Sequence, residues 1–168
     1  MPVIHSTETL SFPYFFNNNK TAPANNSSAK VSVITALVNI TATDSASSTW
    51  KIARVPSATS IHQIYIDCTA ITGGTDFSLG LYNVSNDTSV APTEISATLF
   101  ASALNFATAQ RNINGLTGIS VANVGKYLWE LTGQSLIENP NKLYDIVLKA
   151  NTIGSTAGSV SFKIEYKI

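Results

Sequence analysis

Charge is what this chain has least of. Only 12% of its 168 residues are Asp, Glu, Lys or Arg, and ten basic against ten acidic side chains leave a formal net charge of zero. No basic face is available to neutralise phosphates, so nucleic acid is not an expected partner. Near-zero net charge also does little to hold copies apart, which suits a protein that assembles. Cysteine occurs once, at Cys68, so neither an intramolecular disulfide nor a zinc set is expected. At the end of the alternating run Ile64, Ile66, Cys68 it reads as a small buried hydrophobe. No run approaches the ~20 apolar residues that cross a membrane, and no membrane partner is expected. Residues 1–16 lack a basic segment and a continuous apolar core, so they are not expected to act as a signal peptide.

The parts of catalytic sites are equally scarce. His5 and His62 are the only histidines, hence the only side chains that ordinarily titrate near neutral pH. No Ser or Cys sits in a glycine elbow, and no phosphate loop or HExxH pattern occurs. The carboxylates are scattered, and an arbitrary pair of them is no argument for glycoside hydrolysis. Asp76, Asn83, Asn86 and Asp87 fall around one turn and offer oxygen ligands, but in no calcium-loop spacing, and Asp and Asn are ordinary turn residues. The expectation is a protein that is not an enzyme, with no cofactor and no metal.

What the chain does have is apolar content, at 44%, and Ser, Thr and Asn, which together make up about a third of it. A chain of this length buries roughly 68–70% of its unfolded surface and needs no staples. Residues 31–40 alternate with apolar side chains on both faces, as in a strand covered on both sides. Residues 50–55, stopped by Pro56, and residues 60–68 are further strands. The turn ITGGTD leads into a strand with Phe77, Leu79 and Leu81 on one face and Ser78, Gly80 and Tyr82 on the other. Residues 95–109 are ambiguous: Leu99, Ala103 and Phe106 have helix-like spacing, and the segment reads as a short helix or an irregular strand. GKYLWELTG reads as a helical turn bounded by glycines. Residues 143–150 and 159–166 are strands, the second with Val160, Phe162, Ile164 and Tyr166 inward. The intervening NTIGSTAG predicts a hairpin. About eight short strands with regular turns predict an all-β fold, an antiparallel β-sandwich or jelly roll, over residues 31–168.

Residues 1–30 read as an extended arm. Phe12, Tyr14, Phe15 and Phe16 form an aromatic knot around Pro13, followed by the polar stretch NNNKTAPANNSSAK. The rings either pack on their own domain or dock on a partner, since exposed aromatics need a cover. Trp50, Tyr65, Tyr82, Tyr127 and Trp129 admit stacking on sugars, but aromatic residues are also enriched in cores and interfaces. Trp50, Tyr127 and Trp129 are the candidates for a subunit interface.

Several stretches taken in order carry a resemblance. WKIARVPSATSIHQIYIDC is followed by GGTDFSLGLYNV and ATLFASALNFATA. Later GKYLWELTG precedes LYDIVLKANTIGSTAGSVSFKIEY. This series, over residues 50–168, resembles the head decoration (cement) proteins of tailed bacteriophages. The resemblance implies a sandwich or jelly-roll subunit on the outer surface of the virion capsid, often trimeric, that binds the major capsid protein and stabilises the expanded lattice. The polar arm departs from that pattern, and Phe12, Tyr14, Phe15 and Phe16 are its candidate capsid contacts. Two other readings stay open: a carbohydrate-binding module of a fibre or capsid surface, and a minor tail or connector protein.

Overall fold

A computed structural model describes residues 31–85, 92–133 and 142–168. Eight strands form two antiparallel four-stranded sheets. The strands are β1 (Ser32–Ile40), β2 (Thr49–Pro56), β3 (Ser60–Cys68), β4 (Asp76–Asn83), β5 (Glu94–Leu104), β6 (Gln110–Asn114), β7 (Leu143–Thr152) and β8 (Gly158–Lys167). One sheet has the order β1-β8-β3-β6, the other β2-β7-β4-β5. The chain changes sheet at every connection except β4 to β5. That alternation is the jelly-roll arrangement of two interleaved Greek keys.

Strand alternation puts one apolar row from each sheet between the layers. Ile64, Ile66, Val160 and Ile164 come from the first sheet, Leu79, Leu81, Ile146 and Leu148 from the second, and all are fully buried. Phe106 follows β5 and closes one end of this core. Its ring lies 4.8 Å from that of Phe77, and its backbone exchanges hydrogen bonds with the turn at Ile71 and Gly74. Cys68 is buried as expected, and burial pushes its thiol pKa up.

Three local expectations need comment. The ambiguous segment is strand β5, and its irregularity has a visible cause. Between the pairs Leu79↔Ala101 and Leu81↔Ser96, Gly80 alone opposes residues 97–100. The excess arches across the outer face of β4, so closely that a Cβ on Gly80 would overlap the Ser96 carbonyl and the Ala97 backbone. Ala103, at φ 51°, completes the break in alternation. Second, β7 and β8 are not a hairpin. β8 is paired on both edges by β1 and β3, and β7 by β2 and β4, so the 153–157 loop crosses between sheets. It is held by the turn beneath it, Ser155 N–H donating to the Thr72 carbonyl at 2.8 Å. Third, β1 is not covered on both faces. It is an edge strand paired only with β8, and Val33 and Leu37 stand 50% and 65% exposed on its outer side.

Candidate interaction surface

The turn from β2 to β3 gathers one end of the sandwich. Pro56 pairs with Leu143, and Ser57 N–H donates to the Lys142 carbonyl at 2.7 Å. Ser60 pairs with Lys167 and bridges Tyr127, while its hydroxyl donates to the Gly125 carbonyl at 3.0 Å. Helix α1 (Leu128–Leu131) is strapped to the same turn, Leu128 N–H donating to the Thr59 carbonyl and Trp129 N–H to that of Ser57. The Glu130 carboxylate accepts from Tyr127 N–H at 2.8 Å and so caps the helix that carries it. Gly133, at φ 66°, ends it.

This strapping has a consequence for exposed apolar surface. A 3₁₀ turn over Val121–Asn123 precedes α1 and projects Val121, 92% exposed, beside Val124, 70% exposed. Tyr127, Leu143, Ile168 and Val31 are also exposed. Ile168 follows Lys167, which pairs with Ser60 beside the turn. Within residues 32–168, apart from Val33 and Leu37 on the outer side of β1, the large exposed hydrophobics among the described residues therefore lie at or near this one end of the fold. Such a gathering from three chain segments differs from the scatter of single apolar residues that any surface carries.

The predicted interface residues divide. Tyr127 and Trp129 stack at 6.5 Å between ring centroids, with 12° between planes. Trp129 is half-buried and its indole N–H is enclosed without a hydrogen-bond partner among the described residues, as are the Ser57 and Thr59 hydroxyls of the turn it touches. Trp50 is half-buried against the core at the start of β2, where it pairs with Leu148. β2 runs the length of the sandwich, so Trp50 lies roughly 20 Å of strand away from Pro56 and is not part of the Tyr127–Trp129 pair. Phe12, Tyr14, Phe15 and Phe16 lie outside the described residues, as do Asn86 and Asp87. Sequence reasoning missed Val121 and Val124. Two valines between Asn, Ser and Gly have no periodicity, and their only signal was that apolar residues stood in a loop.

Two other surfaces carry polar chemistry. On the outer face of the β1-β8-β3-β6 sheet an open groove of about 890 Å³ is lined by Thr35, Leu37, Tyr65, Asp67, Asn112 and Lys163 among others. Lys163 lies 5.4 Å over the Tyr65 ring, and its bond to Glu165 at 2.7 Å raises its pKa. Asn112, at φ 56°, is held in that conformation by donating its N–H to Asp67 at 2.7 Å. On the opposite sheet, Asp145 is buried and accepts from Arg54 Nε at 2.7 Å and from a second Arg54 nitrogen at 3.1 Å. That pairing raises the Arg54 pKa further. Lys51 and Arg54 both donate to the Ser85 carbonyl, which fixes the start of the 84–93 connection. Among the described residues no three His, Cys, Asp or Glu side chains gather as a metal site.

No protein-family model matches the chain, and no curated protein matches it in sequence. Two solved assemblies contain chains of the same fold. One is the capsid asymmetric unit of cyanophage Pam1, with a TM-score of 0.50 at 17% identity over 100% of this chain and 99% of that one. The other is the capsid of Ralstonia phage GP4, with a TM-score of 0.59 at 12% identity over 88% of each chain. The likeness is one of fold, and it extends over nearly the whole of chains of closely similar length.

Proposed function

We propose that this chain is a non-enzymatic decoration protein of a tailed-phage head, which binds the major capsid protein on the outer surface of the expanded lattice. The observation that carries the reading is the whole-chain likeness in fold to subunits of two phage capsids. The sequence resemblance to head decoration proteins supports the finer role. A ligand that binds only the expanded shell stabilises it by mass action. Many weak contacts repeated over a lattice gain further from multivalency, more so for a homotrimer. The aromatic knot at Phe12, Tyr14, Phe15 and Phe16 contributes a second contact.

Copy number tests this reading. Quantitative mass spectrometry of purified particles, referenced to the major capsid protein, should give a ratio near one to one. A handful of copies per particle would move the assignment to a tail, connector or fibre component, and absence from the particle would refute a virion role.

One observation favours glycan binding as a second activity, on the outer face of the β1-β8-β3-β6 sheet. The groove at Tyr65 combines an aromatic ring with Asp67, Asn112 and Lys163, a mixture of stacking and hydrogen-bonding groups. Saturable binding to a host polysaccharide, lost in Tyr65→Ala, would support it; an array without hits would end it.

A further inference from the structure

From the end of the sandwich built around the β2–β3 turn we infer the chemistry of the surface it contacts: an apolar depression with a carboxylate rim on a different protein. The inference rests on the decoration reading, under which that protein is the major capsid protein. Val121 and Val124 form a knob on a one-turn helix, held out from the core while the strapped backbone beneath them is fixed. Tyr127, Leu143 and Ile168 add apolar area at the same end. Lys126, Lys142 and Lys167 stand in this end of the fold, each next to one of those residues in the chain. The carboxylates near this end among the described residues are already engaged: Glu130 caps Tyr127 N–H, Glu94 pairs with Lys149 and Glu165 with Lys163. The rim is therefore basic, although the chain as a whole is neutral.

This charge pattern selects among occupants. A second copy docked face to face would oppose lysines to lysines, which disfavours that pairing. The grooves that a second copy offers elsewhere hold Asp67, Arg111, Asn112 and Lys163 beside Leu37 and Phe162. A valine inserted there would strip polar groups of solvent and return no hydrogen bond. An apolar surface rimmed by Asp and Glu satisfies both parts of the patch, the valines by burial and the lysines by charge.

The test uses full-length protein and expanded shells lacking it, assembled from the major capsid protein, in a co-sedimentation titration. Val121→Asp with Val124→Asp should weaken binding by at least roughly tenfold while leaving the melting curve in place, because both side chains lie outside the core. Lys126→Glu with Lys167→Glu should weaken it too and flatten its dependence on salt. Unchanged binding by the valine variant would overturn the inference and leave decoration standing. Loss of self-association in that variant, read by sedimentation velocity, would overturn it in favour of a subunit interface. Failure of the wild-type protein to bind shells at all would remove the decoration reading and this inference together.

Discussion

Removing the hydroxyl of Tyr82 should make the protein more stable. Tyr82 is 2% exposed on the outer face of β4, paired with Asp145 on one side and Glu94 on the other, and its hydroxyl is enclosed with no hydrogen-bond partner among the described residues. A buried hydroxyl left unpaired forfeits the bond it makes with water when unfolded, at a cost of ~1–3 kcal/mol. Tyr82→Phe keeps the ring and deletes the orphaned atom, so it should gain up to that amount. A gain of 1 kcal/mol would raise Tm by roughly 2–4 °C for a chain of this size. The same environment makes a second, independent prediction. Burial, with a smaller contribution from the Glu94 carboxylate, pushes the Tyr82 pKa from 10.0 up to about 12. The folded pKa lies above the unfolded one, so this stabilisation is complete below pH ~10 and is lost as pH rises toward 12. A shift of that size sets a ceiling of about 2.7 kcal/mol, and solvent screening brings the expected change to ~1–2 kcal/mol. Tyr82→Phe carries no such titration, so its advantage over wild type should widen across that window. Urea unfolding at pH 7 and at steps above pH 9 measures both effects, with unchanged m-values confirming a common unfolding reaction. A variant at least 1 kcal/mol less stable than wild type at pH 7 would show that the hydroxyl has a partner and would refute the reasoning.

Four further outcomes follow from the packing. Phe106→Ala should cost ~3–5 kcal/mol, read by urea unfolding, because it empties a fully buried site against Phe77 and loosens the turn at Ile71–Gly74. Gly80→Ala should cost ~1–3 kcal/mol, with amide exchange accelerated selectively in β5, since the new methyl group collides with the backbone at Ser96 and Ala97. Thr59→Val should leave stability unchanged or raise it, because the hydroxyl it removes is enclosed and unpaired. Cys68 should resist a thiol reagent in the native protein and react at once in urea, because it is buried and its raised pKa disfavours the thiolate.

Much of the fold was legible because a half-buried strand writes its orientation into the chain. Val160, Phe162 and Ile164 alternate with Ser161, Lys163 and Glu165, and the structure buries the first set and leaves the second at the surface or half-buried. The misreadings share one cause: the information lay in which strands become neighbours. The 153–157 loop has turn residues that suit a hairpin or a crossing equally well. Only the placement of β8 between β1 and β3 decides for the crossing. Residues 95–109 mimicked a helix because an arch in β5 shifts its inward residues out of step. The double-faced apolar pattern of β1 correctly registered apolar side chains on both sides, but a sequence does not say that a strand is an edge.

The candidate surface was harder to read, and the reason is physical. Core residues reveal themselves by periodicity, because burial repeats along an element. The candidate patch of Val121, Val124, Tyr127, Leu143 and Ile168 draws a few residues from each of several segments, and no period links them. Tyr127 and Trp129 were noticed because large aromatic rings between glycines stand out. The valines were not, because a single valine in a loop is unremarkable until its exposure is known. What makes them a candidate is the strapping of residues 125–129 onto the β2–β3 turn, which fixes the backbone under a knob that stays exposed among the described residues. An ordered apolar knob gives up little conformational entropy on docking, so more of its buried area is realised as affinity. The rigidity of the turn, as much as the valines themselves, is what makes this end of the jelly roll suited to gripping a partner. Loosening that turn should therefore weaken binding even where no contacting side chain is changed. Ser60→Gly, which deletes the bond to the Gly125 carbonyl and leaves Val121 and Val124 untouched, should reduce shell binding measurably. Unaltered affinity in that variant would show that the knob does not depend on its mounting.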